Sequence, residues 1–386
     1  MVSVDYALRV ALQRARSIKK FDDTWRDRLT YKHTSVAFFT IAAAIFARNY
    51  FGEPIQCWVP SEFNDMWEAF AEKYCFVENT YFVGNNASNL PKAETRESQE
   101  IIYYQWVPFY LFFFGILSIV PKLTWIFFSE YAELDVNSMI AASRDARVGD
   151  VDQFEKRKEV FKLEVYRRAN REERDRTYLW KLYLLMKVLM LIFAGVIFNW
   201  IYSFHPVQVD YFHQLFDIHR WQNTGFFPRT VFCDFPVREL GQTNNYSVQC
   251  VLVVNMFNEK IFIASLIWIT GIFFMNIIDF GYWFKQYWSS DNRKYIAELL
   301  QRDSVDKHEY DSFIKGMIKT DGILVIKLID SNAGRHEAQE LVNTLWDLHF
   351  SKSSVSTPTD LDNEDIISSL FAEHYFRAPL SSPFEL

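Results

Sequence analysis

The stretch IIYYQWVPFYLFFFGILSIVP, residues 101–121, indicates the architecture, because its 21 residues include no charged side chain. A helix needs roughly 20 predominantly apolar residues to cross the hydrocarbon core of a bilayer. Three more segments meet or approach that length, at 33–51, 188–209 and 261–278. Trp and Tyr cluster at their ends, which is typical of membrane–water interfaces. The sequence therefore predicts four transmembrane helices.

The composition fits apolar segments separated by charged ones. The chain has 386 residues, of which 50% are hydrophobic, 18% aromatic and 23% charged, and its mean hydropathy is slightly negative. The formal net charge of −7 gives no reason to expect a nucleic-acid partner. The opening MVSVDYALRVALQRARSIKK lacks the unbroken apolar core of a secretory signal peptide, so none is predicted.

Lysine and arginine predict the orientation in the membrane. Residues 1–32 carry eight of these basic side chains, residues 129–178 carry eleven, and residues 285–386 carry eleven. The connections 52–100 and 205–259 carry three each. Because cytoplasmic loops hold the excess of basic residues, both termini and the middle loop are predicted to face the cytoplasm.

The cysteines agree with this orientation. All four fall in the two loops predicted to lie outside, and they are Cys57, Cys75, Cys233 and Cys250. An oxidising compartment favours disulfides, so an even count confined to it predicts two bridges. Spacings of 18 and 17 residues do not resemble the short ligand pairs of zinc modules, so no metal site is predicted. Four cysteines allow three pairings, and spacing leaves the choice open.

Together these observations predict a mainly α membrane protein with four transmembrane helices, disulfide-linked extracellular loops with some β structure, and a helical cytoplasmic domain. The spans cover 33–51, 101–128, 179–204 and 260–284, and the extracellular loops cover 52–100 and 205–259. The cytoplasmic parts are an amphipathic N-terminal helix over 1–32, a helical loop over 129–178, a helical region over 285–350 and a flexible tail over 351–386. Within the last helical region, GILVIKLID at 322–330 fits either a strand or a buried helix.

The sequence contains no HExxH, P-loop, GxGxxG or GxSxG motif, so neither enzyme activity nor a cofactor is predicted. A charge inside a span is more informative, because it costs several kcal/mol unless it is paired or hydrated. Lys187 lies within the third span and either faces a hydrated cavity or a partner in a neighbouring subunit. Alternatively the span starts later and leaves Lys187 at the interface. Asp279, near the inner end of the fourth span, is expected to reach the interface.

Five motifs resemble those of the innexin family, the invertebrate gap-junction subunits. YYQWVPF at 103–109 looks like the signature at the start of the innexin second span, carried by Tyr103, Tyr104, Gln105, Trp106 and Pro108. The others are GEPIQCWVP (52–60), EKYCFVENTYFV (72–83), TGFFPRTVFCDF (224–235) and QCVLVVNMFNEKIF (249–262). Each stands at the family's place relative to the spans.

The resemblance implies a gap-junction channel that passes ions and small molecules between adjacent cells. Its subunits, the same or related innexins, would form a ring around a pore in the plasma membrane at cell–cell junctions. The extracellular loops would dock onto a second ring in the apposed cell. By matching positions, the resemblance also implies that Cys57 pairs with Cys250 and that Cys75 pairs with Cys233.

The N-terminal segment gains a function from the resemblance. Its apolar positions repeat at helical spacing, so the residues alone predict a basic amphipathic surface helix. In related channels the corresponding segment folds into the pore mouth, which makes Asp5, Arg9 and Gln13 candidates for the narrowest ring. A ring repeats one side chain in every subunit, so a single charge there can set ion preference.

The YYQWVPF motif carries polar groups into an apolar segment, since Gln105 and Trp106 both need hydrogen-bond partners there. Pro108 lacks the N–H that a helix interior uses. We interpret the motif as a structural seam that joins the second span to the outer domain and performs no chemistry. The alternative is an ordinary aromatic belt at the interface.

Two glycosylation sequons, at Asn86 and Asn245, also fall in the extracellular loops. A sugar near the docking face would obstruct pairing between cells, which would favour a non-junctional, pannexin-like plasma-membrane channel. A third hypothesis is a non-conducting four-span adhesion or scaffold protein, which would show normal cell contacts but no current.

Overall fold

The computed structural model of the chain describes residues 22–78, 80–83, 91–92, 96, 100–129, 177–203, 227–300, 302 and 306–351. The pore-lining candidates Asp5, Arg9 and Gln13 lie outside the described residues, as does the sequon at Asn86. Most of the predicted cytoplasmic loop over 129–178 and the tail after residue 351 also lie outside them.

Long apolar helices dominate the described part of the chain. In chain order, its helices are α1 (Trp25–Phe51), α2 (Asp65–Glu78), α3 (Tyr103–Ser129), α4 (Tyr178–Ser203), α5 (Val253–Trp288), α6 (Asp291–Leu300), α7 (Lys307–Phe313), α8 (Lys319–Asn332) and α9 (Arg335–Ser351). Four of them, α1, α3, α4 and α5, are long and apolar enough to cross a membrane. The prediction of a mainly α protein with four candidate spans is confirmed.

Helix α1 begins at Trp25, well before the predicted first span at residue 33. Thr24 caps its N-terminus, because its side chain accepts from the Asp27 N–H while the Asp27 side chain accepts from the Thr24 N–H. Hydropathy does not place a span start here, since Arg26, Asp27 and Arg28 are charged. Arg26 and Asp27 pair with Asp279 and Lys187 on other spans, and Arg28 pairs with Asp23 just before the helix. These partners compensate the charges, so the helix continues through them.

Helix α5 extends beyond the predicted span of 260–284 at both ends. Its first turns adjoin the disulfide-linked part of the chain, made of α2 and the five-stranded sheet described below, which we call the outer domain. Asn255 and Glu259 are buried there. The Asn255 amide donates to the carbonyl oxygen of Pro228, and the Glu259 carboxylate pairs with Arg229. Because these polar groups have partners, the helix runs past the end of its apolar window.

Consecutive spans pack side by side, α1 on α3, α3 on α4 and α4 on α5. Gly115 of α3 permits a close approach, since a Cβ atom there would lie 2.6 Å from the Phe39 ring of α1. Nearby, Phe38 and Phe114 meet edge to face. The buried apolar side chains form two clusters, one shared by the spans and the outer domain and one shared by the spans and the helices α6 to α9.

An antiparallel sheet of five strands forms much of the outer domain. Its strands are β1 (Ile55–Trp58), β2 (Thr80–Tyr81), β3 (Glu100–Ile101), β4 (Thr230–Glu239) and β5 (Gln242–Leu252), in the spatial order β1-β5-β4-β2-β3. The β4–β5 hairpin turns through Leu240 and Gly241, whose φ angles are 50° and 86°. Two positive φ angles are what a tight two-residue hairpin requires.

The GILVIKLID stretch forms part of α8, so it is a buried helix and not a strand. Leu324, Leu328 and Ile329 are fully buried on this helix. A π-helical turn, Ile314–Ile318, leads from α7 into α8, and Lys319 follows it with a φ of 57°. This left-handed residue redirects the chain at the start of α8.

Candidate functional site

Two disulfides join the outer parts of the chain into one domain. Cys57 of β1 is bonded to Cys250 of β5, and Cys75 of α2 is bonded to Cys233 of β4. These are the pairs that the family resemblance implied. The sulfur atoms of Cys57, Cys75 and Cys250 lie within 4.8 Å of one another, so the two bridges lie side by side. All four cysteines of the chain are used, and no free thiol is left to bind a metal.

The bridges link positions that are 193 and 158 residues apart in the sequence. In the chain-entropy model, closing such long loops stabilises the folded state by about 5 kcal/mol for each bridge. Both bridges connect the loop between α1 and α3 to the loop between α4 and α5. The relative placement of these two loops is therefore set covalently.

The YYQWVPF motif fastens α3 to the end of α2. The Tyr104 hydroxyl donates to the carbonyl oxygens of Cys75 and Phe76, at 3.4 and 3.2 Å. The Gln105 amide donates to the carbonyl oxygens of Phe76 and Val77, at 2.6 and 3.1 Å. The last carbonyls of a helix have no partner within it, so these two side chains cap α2 from the second span.

Pro108 leaves one backbone carbonyl open for a contact between two spans. In a regular helix residue 108 would donate to the carbonyl oxygen of Tyr104, but proline has no N–H. The side-chain amide of the buried Asn49 on α1 donates to that oxygen instead, at 3.5 Å. The proline thus creates a backbone acceptor where α1 and α3 meet.

Trp106 behaves differently from its neighbours in the motif. It is 51% exposed and contacts the Phe109 ring, which is typical of an aromatic side chain at a membrane interface. Tyr103 instead packs edge-on against Phe227 of the outer domain. Trp106 therefore fits the alternative of an aromatic belt at the interface. Tyr104 and Gln105 instead bond the second span to the outer domain, as the interpretation of the motif as a structural seam predicts.

Lys187 lies at the centre of a buried charge cluster. Its ammonium group contacts the carboxylates of Asp27 on α1 and Asp279 on α5, each at 2.5 Å. Asp27 also accepts from the Tyr183 hydroxyl at 2.9 Å, and Asp279 pairs with Arg26 at 2.9 Å. Three spans are therefore joined through one lysine.

These contacts give Lys187 and Asp279 charged partners inside the bundle. Lys187 is 3% exposed, and within the described residues its carboxylate partners, Asp27 and Asp279, belong to its own chain. Asp279 is also 3% exposed. A buried lysine is tolerated here because two carboxylates compensate its charge.

A second buried cluster lies where the chain enters α1. Lys122 of α3 contacts the carboxylates of Asp22 and Asp23, at 2.5 and 2.7 Å. Asp22 also accepts from the Trp125 indole at 2.6 Å, and Asp23 accepts from the Tyr31 hydroxyl at 2.9 Å. Burial raises the pKa of the Asp23 carboxyl, and the Lys122 ammonium opposes that rise.

The sequence does not reveal that most of these charges are buried and paired, because they flank the apolar windows. The two clusters combine four carboxylates with four cations, so their formal charges balance: Asp22, Asp23, Asp27 and Asp279 face Arg26, Arg28, Lys122 and Lys187. The sequence does contain a signal for these clusters. Three aspartates, Asp22, Asp23 and Asp27, lie just before the predicted first span, and Lys122 and Lys187 lie inside the predicted second and third spans.

Two surface features of the outer domain bear on its contacts. Large apolar side chains are exposed on β1 and α2, at Trp58, Met66, Trp67, Phe70 and Val77. Such side chains outside the membrane indicate a contact surface. On the β4–β5 hairpin, Leu240 at the turn is fully exposed, and the sequon residue Asn245 is exposed opposite Pro236.

The fold and these contacts define a class of membrane protein with four spans and one disulfide-linked outer domain. The family model described as Innexin matches residues 23–349 of this chain. Innexin-16 of Caenorhabditis elegans is 37% identical over 360 residues, which cover 91% of this chain and 94% of that protein. Innexin-17 of the same organism is 33% identical over 346 residues, with 85% and 94% covered, and its Innexin eat-5 is 30% identical over 371 residues, with 85% and 87% covered.

The chain belongs to the innexin family, which forms gap-junction channel subunits. It is accordingly a multi-pass membrane protein that functions as a channel subunit, in a family of channel subunits and not of known enzymes.

Proposed function

We propose that copies of this chain, alone or with related innexins, form a ring around a pore in the plasma membrane. Two such rings in apposed cells dock through their outer domains and pass ions and small molecules between the cells. The observation that carries this proposal is the outer domain, whose loops are locked together by the bridges Cys57–Cys250 and Cys75–Cys233.

A rigid outer domain favours docking because ordering a flexible loop at an interface costs free energy on association. Here the disulfides and the sheet order the loops during folding, so docking does not have to order them. The exposed side chains of Trp58, Met66 and Phe70 are apolar, and they lie outside the spans. Contact with a neighbouring subunit of the same ring would remove them from water, at about 25 cal/mol for each Å² buried.

The proposed orientation places the disulfide-linked domain outside and both termini in the cytoplasm. Disulfides persist in oxidising compartments, which supports an extracellular outer domain. The basic residues of 1–32, 129–178 and 285–386 support a cytoplasmic location for the opposite end. Protease protection of tags fused to either terminus, in sealed right-side-out cells, tests this orientation.

The N-terminal segment is proposed to line the pore, with Asp5, Arg9 and Gln13 at its narrowest ring. Its support is the anchoring of the chain at Asp22, which is bonded to Lys122 and Trp125. These contacts lie at the start of α1, on the proposed cytoplasmic side of the bundle. Charge reversal at Asp5 or Arg9 should change the ratio of cation to anion permeability in the conducting channel.

Paired-cell recording tests the junctional function. The chain is expressed alone in two apposed cells, and junctional current is measured together with the membrane current of single cells. We expect junctional current with little leak in single cells. Silence in both recordings, with the protein at the cell surface, would contradict a channel formed by this chain alone.

A non-junctional channel is the second candidate, and the exposed position of Asn245 favours it. Enzymatic deglycosylation followed by electrophoresis measures whether Asn245 or Asn86 carries a sugar. A mobility shift that Asn245→Gln abolishes, combined with current in single cells only, would support this candidate. Junctional current from a chain glycosylated at Asn245 would exclude obstruction by that sugar.

A further inference from the structure

A cavity of about 730 Å³ lies at the end of the helix bundle opposite the outer domain, which we call the inner end. The first turn of α1, the last turns of α5 and the helices α6 and α8 surround it. Its volume falls within the range of about 300–1,000 Å³ that is usual for small-molecule sites. Charged, polar and aromatic side chains all contribute to its lining, so the cavity suits a ligand with both polar and apolar parts.

Aromatic side chains place the cavity at the level of the membrane interface. Trp25 of α1 and Tyr282 of α5 line it and are 61% and 48% exposed. Trp288, at the end of α5, is 74% exposed. Both helices are candidate spans, and exposed Trp and Tyr at the ends of a span are typical of the depth at which lipid headgroups lie. The cavity is therefore within reach of those headgroups.

Most of the charges that line the cavity are compensated. Five of its seven charged side chains belong to ion pairs, which are Arg26–Asp279, Lys294–Asp291 and Glu298–Arg335, at 2.9, 3.7 and 3.2 Å. The other two are Lys327 and Asp330, both on α8. Among the described residues, neither has an ion-pair partner within 4.0 Å, and they do not pair with each other. The cavity thus holds one cation and one carboxylate that a ligand could pair with.

Lys327 and Asp330 have neutral hydrogen-bond partners instead. The Lys327 ammonium donates to the side-chain oxygens of Gln286 and Asn292, at 2.6 and 2.5 Å. One oxygen of the Asp330 carboxylate accepts from the Tyr295 hydroxyl at 2.7 Å, which leaves acceptor positions on that carboxylate. Because the two residues stand three positions apart on one helix, their Cβ atoms are about 5–6 Å from each other. The cation and the carboxylate therefore lie side by side.

A ligand that satisfies both groups carries an anion and a cation close together and has no net charge. The headgroup of an ethanolamine phospholipid has this form, because two carbons separate its phosphate from its ammonium group. The phosphate can accept from Lys327 and also from Arg26, since Asp279 engages only one terminal nitrogen of that guanidinium and its fork suits a phosphate. The ammonium group can donate to Asp330, which a choline headgroup, lacking an N–H, cannot do.

We propose that this cavity binds the headgroup of an ethanolamine phospholipid from the leaflet at the inner end, with the phosphate on Lys327 and Arg26 and the ammonium group on Asp330. The exposed rings of Trp25 and Tyr282 then contact the apolar part of the lipid outside the cavity. The bound lipid joins α1 and α5 to α8 and so stabilises the inner end. The site requires neither the ring nor the pore proposed above, so its test is independent of them.

Titration of short-chain lipids into the purified full-length protein tests the site. Dioctanoyl phosphatidylethanolamine is added in detergent, and the unfolding temperature is followed to saturation, because a ligand that binds the folded state raises it. Dioctanoyl phosphatidylglycerol has the same chains and a phosphate but no ammonium group. We expect the ethanolamine lipid to half-saturate at about a tenfold lower concentration, the effect of one hydrogen bond to a charged group. Equal half-saturating concentrations would overturn the proposal.

Asp330→Asn separates a lipid contact from a purely structural role. Asparagine keeps an oxygen for the Tyr295 hydroxyl but removes the charge. It should raise the half-saturating concentration of the ethanolamine lipid about tenfold and leave that of the glycerol lipid unchanged. Asp347→Asn is the matched control, because Asp347 is an exposed, ion-paired residue of α9 outside the cavity, and it should keep the preference. A preference that survives Asp330→Asn would contradict the site, and if this variant does not fold, the two lipids on the unaltered protein decide.

Free O-phosphoethanolamine distinguishes a membrane lipid from a soluble zwitterion. It carries the same headgroup without acyl chains, so it lacks the contacts with Trp25 and Tyr282. We expect it to half-saturate at a concentration at least about tenfold higher than that of the ethanolamine lipid. Equal concentrations would replace the lipid by a soluble zwitterion. No saturable binding of any of the three compounds would overturn the site, as expected if a second copy of the chain fills the cavity.

Discussion

The outer domain and the inner end of the helix bundle both join distant parts of the chain, but with different bonds. The outer domain uses two disulfides and an antiparallel sheet. The inner end uses buried ion pairs around Lys122 and Lys187 and the hydrogen bonds of α8. A disulfide keeps its geometry as long as it is oxidised, whereas ion pairs and hydrogen bonds break and re-form without covalent change. The outer domain is thus held covalently, whereas the inner end is held by non-covalent contacts alone.

The largest effect is expected from removing a bridge. The double variant Cys75→Ser with Cys233→Ser leaves no unpaired thiol and removes the covalent link between α2 and β4. It should destabilise the protein by about 5 kcal/mol and abolish junctional current. Paired-cell recording and thermal unfolding in detergent measure the two effects.

Ser61→Ala is the matched control, because Ser61 is exposed in the same loop as Cys75. It should change neither quantity. Normal junctional current from the double cysteine variant would show that the sheet alone maintains the docking surface.

Removing the central lysine of the inner end should have a slightly smaller effect on stability. Lys187→Met leaves Asp27 and Asp279 buried with less compensating charge, which costs about 3–5 kcal/mol. We expect less protein at the cell surface and a lower unfolding temperature. Combining Lys187→Met with Asp27→Asn should recover part of the loss, because it removes one uncompensated carboxylate.

Lys294→Met provides the comparison for Lys187→Met, since the Lys294 side chain is 80% exposed and its ion-pair partner among the described residues is Asp291, which is 65% exposed. Its expected cost is below about 1 kcal/mol. Similar unfolding temperatures for the two variants would mean that the buried ion pairs add nothing beyond a surface charge.

Weakening the contact between the second span and the outer domain should have a moderate effect on stability. Gln105→Leu removes the hydrogen bonds that the Gln105 amide donates to the carbonyl oxygens of Phe76 and Val77 at the end of α2. Their loss should lower the free energy of unfolding by about 1–3 kcal/mol. Junctional conductance should fall, because the outer domain is less firmly held to the second span. Gln56→Leu, on an exposed side chain of the same domain, is the control. Intact assembly and conductance in Gln105→Leu would remove the support for a seam.

The smallest effect is a pH dependence confined to the inner end. Burial lowers the pKa of Lys327 from 10.5 to about 8, and Asp291 opposes that change. Between these values the unfolded chain binds more protons than the folded one, so stability rises as pH increases from about 8 toward about 10.5. Lys327→Met should lose this rise, whereas Lys294→Met should keep it. Unfolding temperatures measured across this interval compare the variants, and parallel curves for all three proteins would refute the expectation.

Much of the architecture could be predicted from the sequence. The spans are readable because a bilayer demands a length of apolar residues, and that is a property of one continuous segment such as 101–121. The resemblance of YYQWVPF and the placement of the four cysteines led to the family and to the disulfide pairs. Helix α1 begins at Trp25, before the span predicted from residue 33, because Arg26, Asp27 and Arg28 lower the hydropathy of a segment that is nevertheless helical and in which Asp27 is buried.

By itself the sequence determined that the chain has four spans, which of its loops hold the cysteines, and the family to which it belongs, since each follows from local composition or local motifs. Only the tertiary structure decided how the buried charges are satisfied. Lys187 meets Asp27 and Asp279 across separations of 160 and 92 residues, and Asn332 meets Asp23 across 309. A buried charge is stable only beside its opposite, and no local pattern records which distant side chain the fold brings next to it.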